Sequence, residues 1–126
     1  MTQKKLEEFG GYRKARALFE FVVADTEMIT DARCRRLLVQ QIDSADSICA
    51  NIEEGYGRGT RAEFVQFLRF AKGSARETRG RYERFARWLP PVLIAERVAL
   101  CDEILGILTA TMKTLRGMGR EGRGKE

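Results

Sequence analysis

The sequence predicts an all-α protein folded as an up-down-up-down four-helix bundle. Apolar residues recur at steps of three and four along four segments, which is the spacing of one helix face. Only two prolines occur, the adjacent Pro90 and Pro91, so long uninterrupted helices are possible on either side of them. No segment has the alternating pattern of a strand, and 126 residues suffice for one domain with its own core.

The first two helices are predicted at Tyr12–Glu27 and Ala32–Glu54. Gly10 and Gly11 are expected in the loop before the first helix. Gly55 is expected to end the second helix in the left-handed conformation that glycine tolerates. The predicted core faces consist of Tyr12, Ala15, Phe19 and Val22 in the first helix, and of Cys34, Leu38, Ile42, Ala45, Ile48 and Ile52 in the second.

The third helix is predicted to begin after Thr60, because Thr60 and Glu63 have the spacing of a capping box. Pro90 and Pro91 are expected to end it. Its apolar positions alternate steps of four and three, as in a heptad seam. They are Phe64, Leu68, Ala71, Ala75, Thr78, Tyr82, Phe85 and Leu89.

The fourth helix is predicted at Val92–Leu115, with an apolar face broad enough for a bundle. The domain is therefore expected to span residues 1–115. Residues 116–126 are rich in glycine and charge, and we expect them to form a disordered basic tail.

The composition argues against an enzyme. The chain has no histidine, which removes the commonest general base and metal ligand. Its three cysteines, Cys34, Cys49 and Cys101, include no Cys-x-x-Cys pair and are expected to be buried thiols. We therefore expect no cofactor and no metal site. The N-terminus resembles no secretion signal and no apolar run is long enough to span a membrane, so a cytoplasmic location is expected.

Positive charge is concentrated on the third helix. Residues 55–88 contain nine basic and three acidic residues, a net charge of +6, against +5 for the whole chain. Such a row fits the phosphates of a nucleic acid, whereas a solvated face or a subunit contact is the alternative. The predicted nucleic-acid-binding residues are Arg69, Lys72, Arg76, Arg79 and Arg87 on one helix face, extended by Arg58 and Arg61.

Three aromatic residues lie at the edge of the predicted core seam or beyond it. They are Phe67, Phe70 and Trp88. Clustered exposed aromatics mark interfaces, so they are predicted to form an oligomer interface. The alternative is that a neighbouring helix covers them.

Three further patterns are interpreted as structural. The segment Gly55–Gly59 resembles a phosphate loop, but a tight turn with positive φ is the favoured interpretation. Ser47, Asn51 and Glu54 align on the second helix; without a nearby base they are expected to form a polar network, with Asn51 bonding across the bundle or a subunit contact. Gly73 and Gly80 inside the third helix suggest close approach of another group, or simple tolerance.

Two segments resemble the motifs of a known family. Ser47–Arg58 resembles Ser-Ile-x-x-Asn-Ile-x-Glu-Gly-x-Gly-Arg, and Glu63–Glu77 resembles Glu-Phe-x-x-Phe-Leu-x-x-Ala-x-Gly-Ser-x-x-Glu. The chain thereby resembles the bacterial family encoded within intervening sequences of large-subunit ribosomal RNA genes. The resemblance implies a cytosolic four-helix bundle that assembles into a pentamer.

The accessory protein of diversity-generating retroelements is a more distant likeness. That likeness implies a basic pentamer that works with a reverse transcriptase and binds nucleic acid. This chain departs from the family where a basic pair often precedes the first motif, because it has Asp43 and Ser44 there, followed by Asp46. A nucleic-acid surface on the second helix is therefore not expected.

Charge pattern and resemblance together predict a non-enzymatic oligomeric scaffold, with a homopentamer favoured. It would bind RNA or DNA nonspecifically through the third helix. The alternative is an adaptor that recruits an unknown protein partner through its oligomeric surface.

Overall fold

The protein is all-α. The structure, a computed structural model, describes the backbone of residues 3–124 and the side chains of residues 5–118. Within that part, the helices are α1 (Gln3–Glu8), α2 (Gly10–Glu27), α3 (Arg35–Tyr56), α4 (Arg61–Arg84) and α5 (Pro91–Gly124), with short 3₁₀ turns at Ala32–Cys34 and Phe85–Arg87. No strand occurs among these described residues. None of their helices is long and apolar enough to cross a membrane.

The chain start differs from the prediction. Gly10 and Gly11 begin α2 instead of lying in a loop, and the short helix α1 precedes them. The reason is tight packing at Gly11. A Cβ atom there would lie 2.9 Å from the ring of Phe9 and 3.2 Å from Ile107 of α5. Only glycine leaves room for both neighbours.

Gly55 does not end α3 in the left-handed conformation, so that prediction was wrong. No described residue has a positive φ, and α3 continues through Gly55 to Tyr56. The segment after it therefore holds no positive-φ turn either. A Cβ atom on Gly55 would lie 3.1 Å from Cβ of Phe67. Glycine is needed here because α3 and α4 approach closely.

The start of α4 was predicted correctly and its end was not. The Thr60 hydroxyl oxygen accepts a hydrogen bond from the Glu63 amide at 3.1 Å, as a helix cap does. However, α4 stops at Arg84, before the two prolines. Pro91 is the first residue of α5, a position where a missing amide hydrogen costs nothing.

Helix α5 also extends beyond the predicted boundary at Leu115. It runs to Gly124, so the first nine residues of the predicted tail continue a helix. Residues 125 and 126 of that tail lie outside the described residues, and disorder there stays a prediction.

One core holds the helices together. The most extensive contacts are those of α3 with α4 and of α4 with α5, followed by those of α2 with α3 and with α5. All eight residues of the predicted α4 seam are buried, which confirms the heptad pattern.

Cys34, Cys49 and Cys101 are buried free thiols, also as predicted. Burial raises the pKa of both Cys49 and Cys101 to about 12.

Candidate functional site

Helix α4 lies between α3 and α5, and this position separates its polar side chains into two flanks. On one flank, the Arg79 Nε donates to Oδ1 of Asp102 in α5 at 2.7 Å. On the other, the Ser74 hydroxyl donates to Oγ of Ser47 in α3 at 2.9 Å. Residues three or four positions from Arg79 therefore lie towards α5, and those spaced similarly from Ser74 lie towards α3.

Four neighbouring cations lie where this flank of α4 meets α5. Three belong to α4, namely Arg69, Lys72 and Arg76, and Arg116 belongs to α5. We call them the α4–α5 basic patch. Burial lowers the pKa of Lys72, and the positive charges of Arg76, Arg116 and Arg69 lower it further. The three arginines are exposed, whereas Lys72 is half-buried.

No carboxylate neutralises this patch within the described part of the chain. Arg69 donates to the neutral Gln66 Oε1 at 2.9 Å, and Lys72, Arg76 and Arg116 have no ion pair among the described side chains. Sequence reasoning missed Arg116 because it placed this residue in the tail. The apolar Met118, three residues after Leu115, is the signal in the sequence that α5 continues.

Arg79 belongs to the same helix flank but is neutralised. Its guanidinium bonds Asp102 at 2.7 Å and Glu83 at 3.0 Å. The hydrogen bond to Asp102 raises the pKa of Arg79, more than its burial lowers it. Arg79 thus joins α4 to α5 instead of presenting a free charge.

The other predicted basic residues lie apart from the patch. Arg58 pairs with Glu54 at 2.6 Å and lies over the ring of Phe67, 4.9 Å from its centroid. Arg61 is exposed at the first position of α4. Arg87 does not share the face of the row as expected, because α4 ends at Arg84. It lines a groove of about 340 Å³ with Arg33, Cys34, Leu37 and Trp88.

The predicted interface aromatics have different environments. Phe70 is 46% exposed and contacts Phe67 edge-on, with ring centroids 5.7 Å apart. Phe67 is half-buried. Trp88 packs on Phe85 of the core and donates its Nε1–H to Asp31 at 3.2 Å. The chain itself therefore covers much of Trp88. This favours coverage within the chain over a role in an oligomer interface for that residue.

A polar groove of about 540 Å³ lies between α3 and α4. It is lined by Gln40, Asp43, Ser44, Ser47, Ser74, Glu77 and Arg81. Arg81 is only 9% exposed, and its Nη1 donates to Gln41 Oε1 at 2.9 Å and to Ser44 Oγ at 3.0 Å. Its Nε has no acceptor among the described atoms. Burial lowers the pKa of this guanidinium, and the positive Arg84 lowers it further.

Sequence reasoning missed the role of Arg81 in this groove. Arg81 turns towards α3 and forms no ion pair with a described carboxylate, so it is not part of the exposed charge of α4. Its position three residues after Thr78 of the apolar seam is the signal that could have indicated burial.

Ser47 and Asn51 form a polar network, as expected, but Asn51 does not bond across the bundle. Its Nδ2 donates to the Ser47 carbonyl at 2.8 Å and to Ser47 Oγ at 3.0 Å, both within α3. Glu54 is occupied by Arg58. The described side chains that hydrogen-bond Ser47 Oγ are thus those of Asn51 and Ser74, neither of which is a general base.

Gly73 and Gly80 face away from the core without an intramolecular packing reason. A Cβ atom on Gly73 would have nothing within 4 Å, and one on Gly80 would meet only the Arg84 side chain at 3.3 Å. The suggested close approach therefore involves none of the other described helix residues of the same chain. The described residues contain no cluster of Cys, Asp or Glu suited to a metal ion.

Comparisons with known proteins agree on the kind of protein. The family described as 23S rRNA-intervening sequence protein matches residues 7–88. A protein of unknown function from the S23 ribosomal protein family of Bacteroides thetaiotaomicron is similar in its crystal structure. The similarity has a TM-score of 0.75 at 23% identity, covering 82% of this chain and 98% of that one. At that identity the likeness shows the fold alone. No curated protein matches the chain.

Proposed function

Because the chain belongs to the 23S rRNA-intervening sequence protein family, we propose that it is a non-enzymatic scaffold that binds the phosphates of RNA or DNA without sequence preference. The observation that carries this proposal is the α4–α5 basic patch, where four cations adjoin and none pairs with a carboxylate among the described side chains. Phosphate groups supply the missing negative charge. The cations of the patch would displace the counterions condensed on these phosphates, which makes such binding sensitive to salt.

The scaffold part of the proposal is an up-down-up-down bundle of α2 to α5 that assembles into a homopentamer. Contacts that support opposite directions of neighbouring helices are Gly55–Phe67 and Gln41–Thr78 for α3 with α4, and Gly11–Ile107 and Asp25–Arg97 for α2 with α5. The pentamer is the assembly implied by the family resemblance. It would present five patches to one nucleic-acid chain and so increase its avidity.

The direct test is charge reversal within the patch. The double variant Lys72→Glu/Arg76→Glu is compared with Arg35→Glu/Arg36→Glu, which changes the net charge equally on the exposed first turn of α3. Acidic residues suit a helix start, so the control is expected to fold normally. Fluorescence anisotropy measures binding of labelled RNA and DNA at about 50 mM and 200 mM salt.

We expect the patch variant to lose tenfold or more of its affinity, on the order of one or two lost phosphate contacts, while the control stays close to the unmodified protein. Circular dichroism checks that both variants remain folded. Equal losses of affinity in the two variants would show that binding depends on net charge and not on the patch. Unchanged binding by the patch variant would refute the proposed site.

The exposed ring of Phe70 favours a second candidate function, that of an adaptor for another protein. In that case the unmodified protein ignores both nucleic acids at low salt. Replacing Phe70 with Ser would then release a co-purifying partner protein, whereas the patch variant would retain it.

A further inference from the structure

The outer surface of α4 has a gap at Gly73, between the two flanks of the helix. Successive helix residues are rotated by about 100°, so Gly73 lies between Lys72 and Arg76 on the side of α5 and Phe70 on the side of α3. Gly73 has no side chain, and nothing in the described part of the chain lies within 4 Å of where its Cβ would be. A flat ligand group can therefore cross α4 from the basic patch to Phe70.

Phe70 has the properties of a stacking platform. The residue is 46% exposed, and its ring packs edge-on against Phe67. Phe67 is in turn held between the guanidinium of Arg58 and the close contact with Gly55 of α3. Phe70 thus rests on an ordered support while much of its ring remains accessible.

The flank beyond Phe70 is acidic. Asp43 of α3 and Glu77 of α4 are exposed and line the polar groove between these helices, and neither forms an ion pair among the described side chains. This surface repels phosphates. It leaves the α4–α5 basic patch as the track for phosphates, with Phe70 across the helix from it.

We propose that the nucleic acid held by the α4–α5 basic patch is single-stranded, with its backbone along the patch and a base turned across Gly73 onto Phe70. This inference rests on the proposed function and specifies its ligand. A single strand has unpaired bases that stack on aromatic rings. A duplex keeps its bases paired, and its second backbone would approach the acidic flank.

The test measures how the intact protein and its variants bind a labelled oligo(U) strand of about 15 nucleotides and a mixed-sequence duplex of the same length. Phe70→Leu keeps an apolar side chain but removes the ring, and Phe70→Trp keeps a ring. Gly73→Gln places a side chain across the path of the base. Light scattering reports the mass of each variant.

We expect the unmodified protein to prefer the single strand. Phe70→Leu should weaken single-strand binding by about 5-fold to 150-fold, the range for stacking of one base, and leave duplex binding unchanged. Phe70→Trp should retain single-strand affinity, and Gly73→Gln should lose it.

Three outcomes would overturn the inference: a preference for the duplex, unchanged single-strand binding by Phe70→Leu, or a changed mass of Phe70→Leu that accounts for its loss of binding. The last would identify Phe70 as a subunit contact. The Lys72→Glu/Arg76→Glu variant distinguishes failure of the proposed phosphate site from failure of the single-strand inference. If it loses both ligands while Phe70→Leu loses neither, the phosphate site stands and only the single-strand inference fails.

Discussion

Lys72 lies half-buried on the flank of α4 that faces α5, and the charges acting on it come from Arg76, Arg116 and Arg69. Burial and these charges lower its pKa below 10.5. The charged form of Lys72 therefore lowers the free energy of unfolding at neutral pH. This cost disappears as the pH rises through the lowered pKa towards 10.5, because the unfolded chain then holds the proton more tightly than the folded one.

Replacing Lys72 with Met is accordingly expected to separate stability from binding. The variant should melt at a temperature equal to or above that of the unmodified protein, because it loses a destabilised charge. Its salt dependence of nucleic-acid binding should weaken by about one unit in the slope of log K against log salt. Thermal melting and anisotropy titrations measure the two effects.

Lys113→Met is the matched control for Lys72→Met. Lys113 is exposed on α5, so its removal lowers the net charge equally without relieving the patch. A melting temperature that falls only for Lys72→Met would contradict the interpretation that the charge of Lys72 destabilises the folded protein.

Contacts between α3 and α4 explain the two segments that carry the family resemblance. Ser47–Arg58 lies mostly in α3 and Glu63–Glu77 lies in α4, and these helices share the most extensive contact of the fold. Gly55 allows their close approach, and the Ser74–Ser47 hydrogen bond crosses between them. The spacing within each motif is thus a consequence of helix packing, which leaves the α5 flank of α4 available for other contacts.

Two glycine substitutions test whether a glycine is required by helix packing or is merely tolerated in its helix. Gly55→Ala should destabilise the protein by about 1–3 kcal/mol, because its Cβ would meet Phe67 Cβ at 3.1 Å and the two helices must separate. Gly73→Ala should stabilise it by up to about 1 kcal/mol, since alanine favours a helix and the site is open. Urea unfolding without nucleic acid measures both values. Stabilisation by Gly55→Ala would show that the interface adapts easily.

At the scale of the whole molecule, charge placement and assembly act together. The chain has a formal net charge of +5, and the α4–α5 basic patch places four cations on one surface. Linked copies of such a surface bind one long polyanion more tightly than a single copy, because each further contact is intramolecular. Assembly would therefore determine how strongly a modest patch binds.

A homopentamer of the 14.4 kDa chain should have a mass of roughly 72 kDa in light scattering. Its affinity for a long single strand should exceed that for a short one by about 100-fold or more, as multivalent contact predicts. A monomer with the same affinity for both lengths would contradict the scaffold proposal while leaving the phosphate site intact.

The sequence alone determined the all-α class, the start of α4 at Thr60 and the burial of its seam. These features depend on local spacing, which a helix repeats along its own length. Tertiary structure decided what lies next to what. Arg79 is neutralised by Asp102, which is distant in the chain, whereas Lys72 and Arg116 are neighbours without an ion pair to any described carboxylate. Gly55 serves a helix crossing instead of a turn, because the space around a residue depends on neighbours that one-dimensional spacing does not specify.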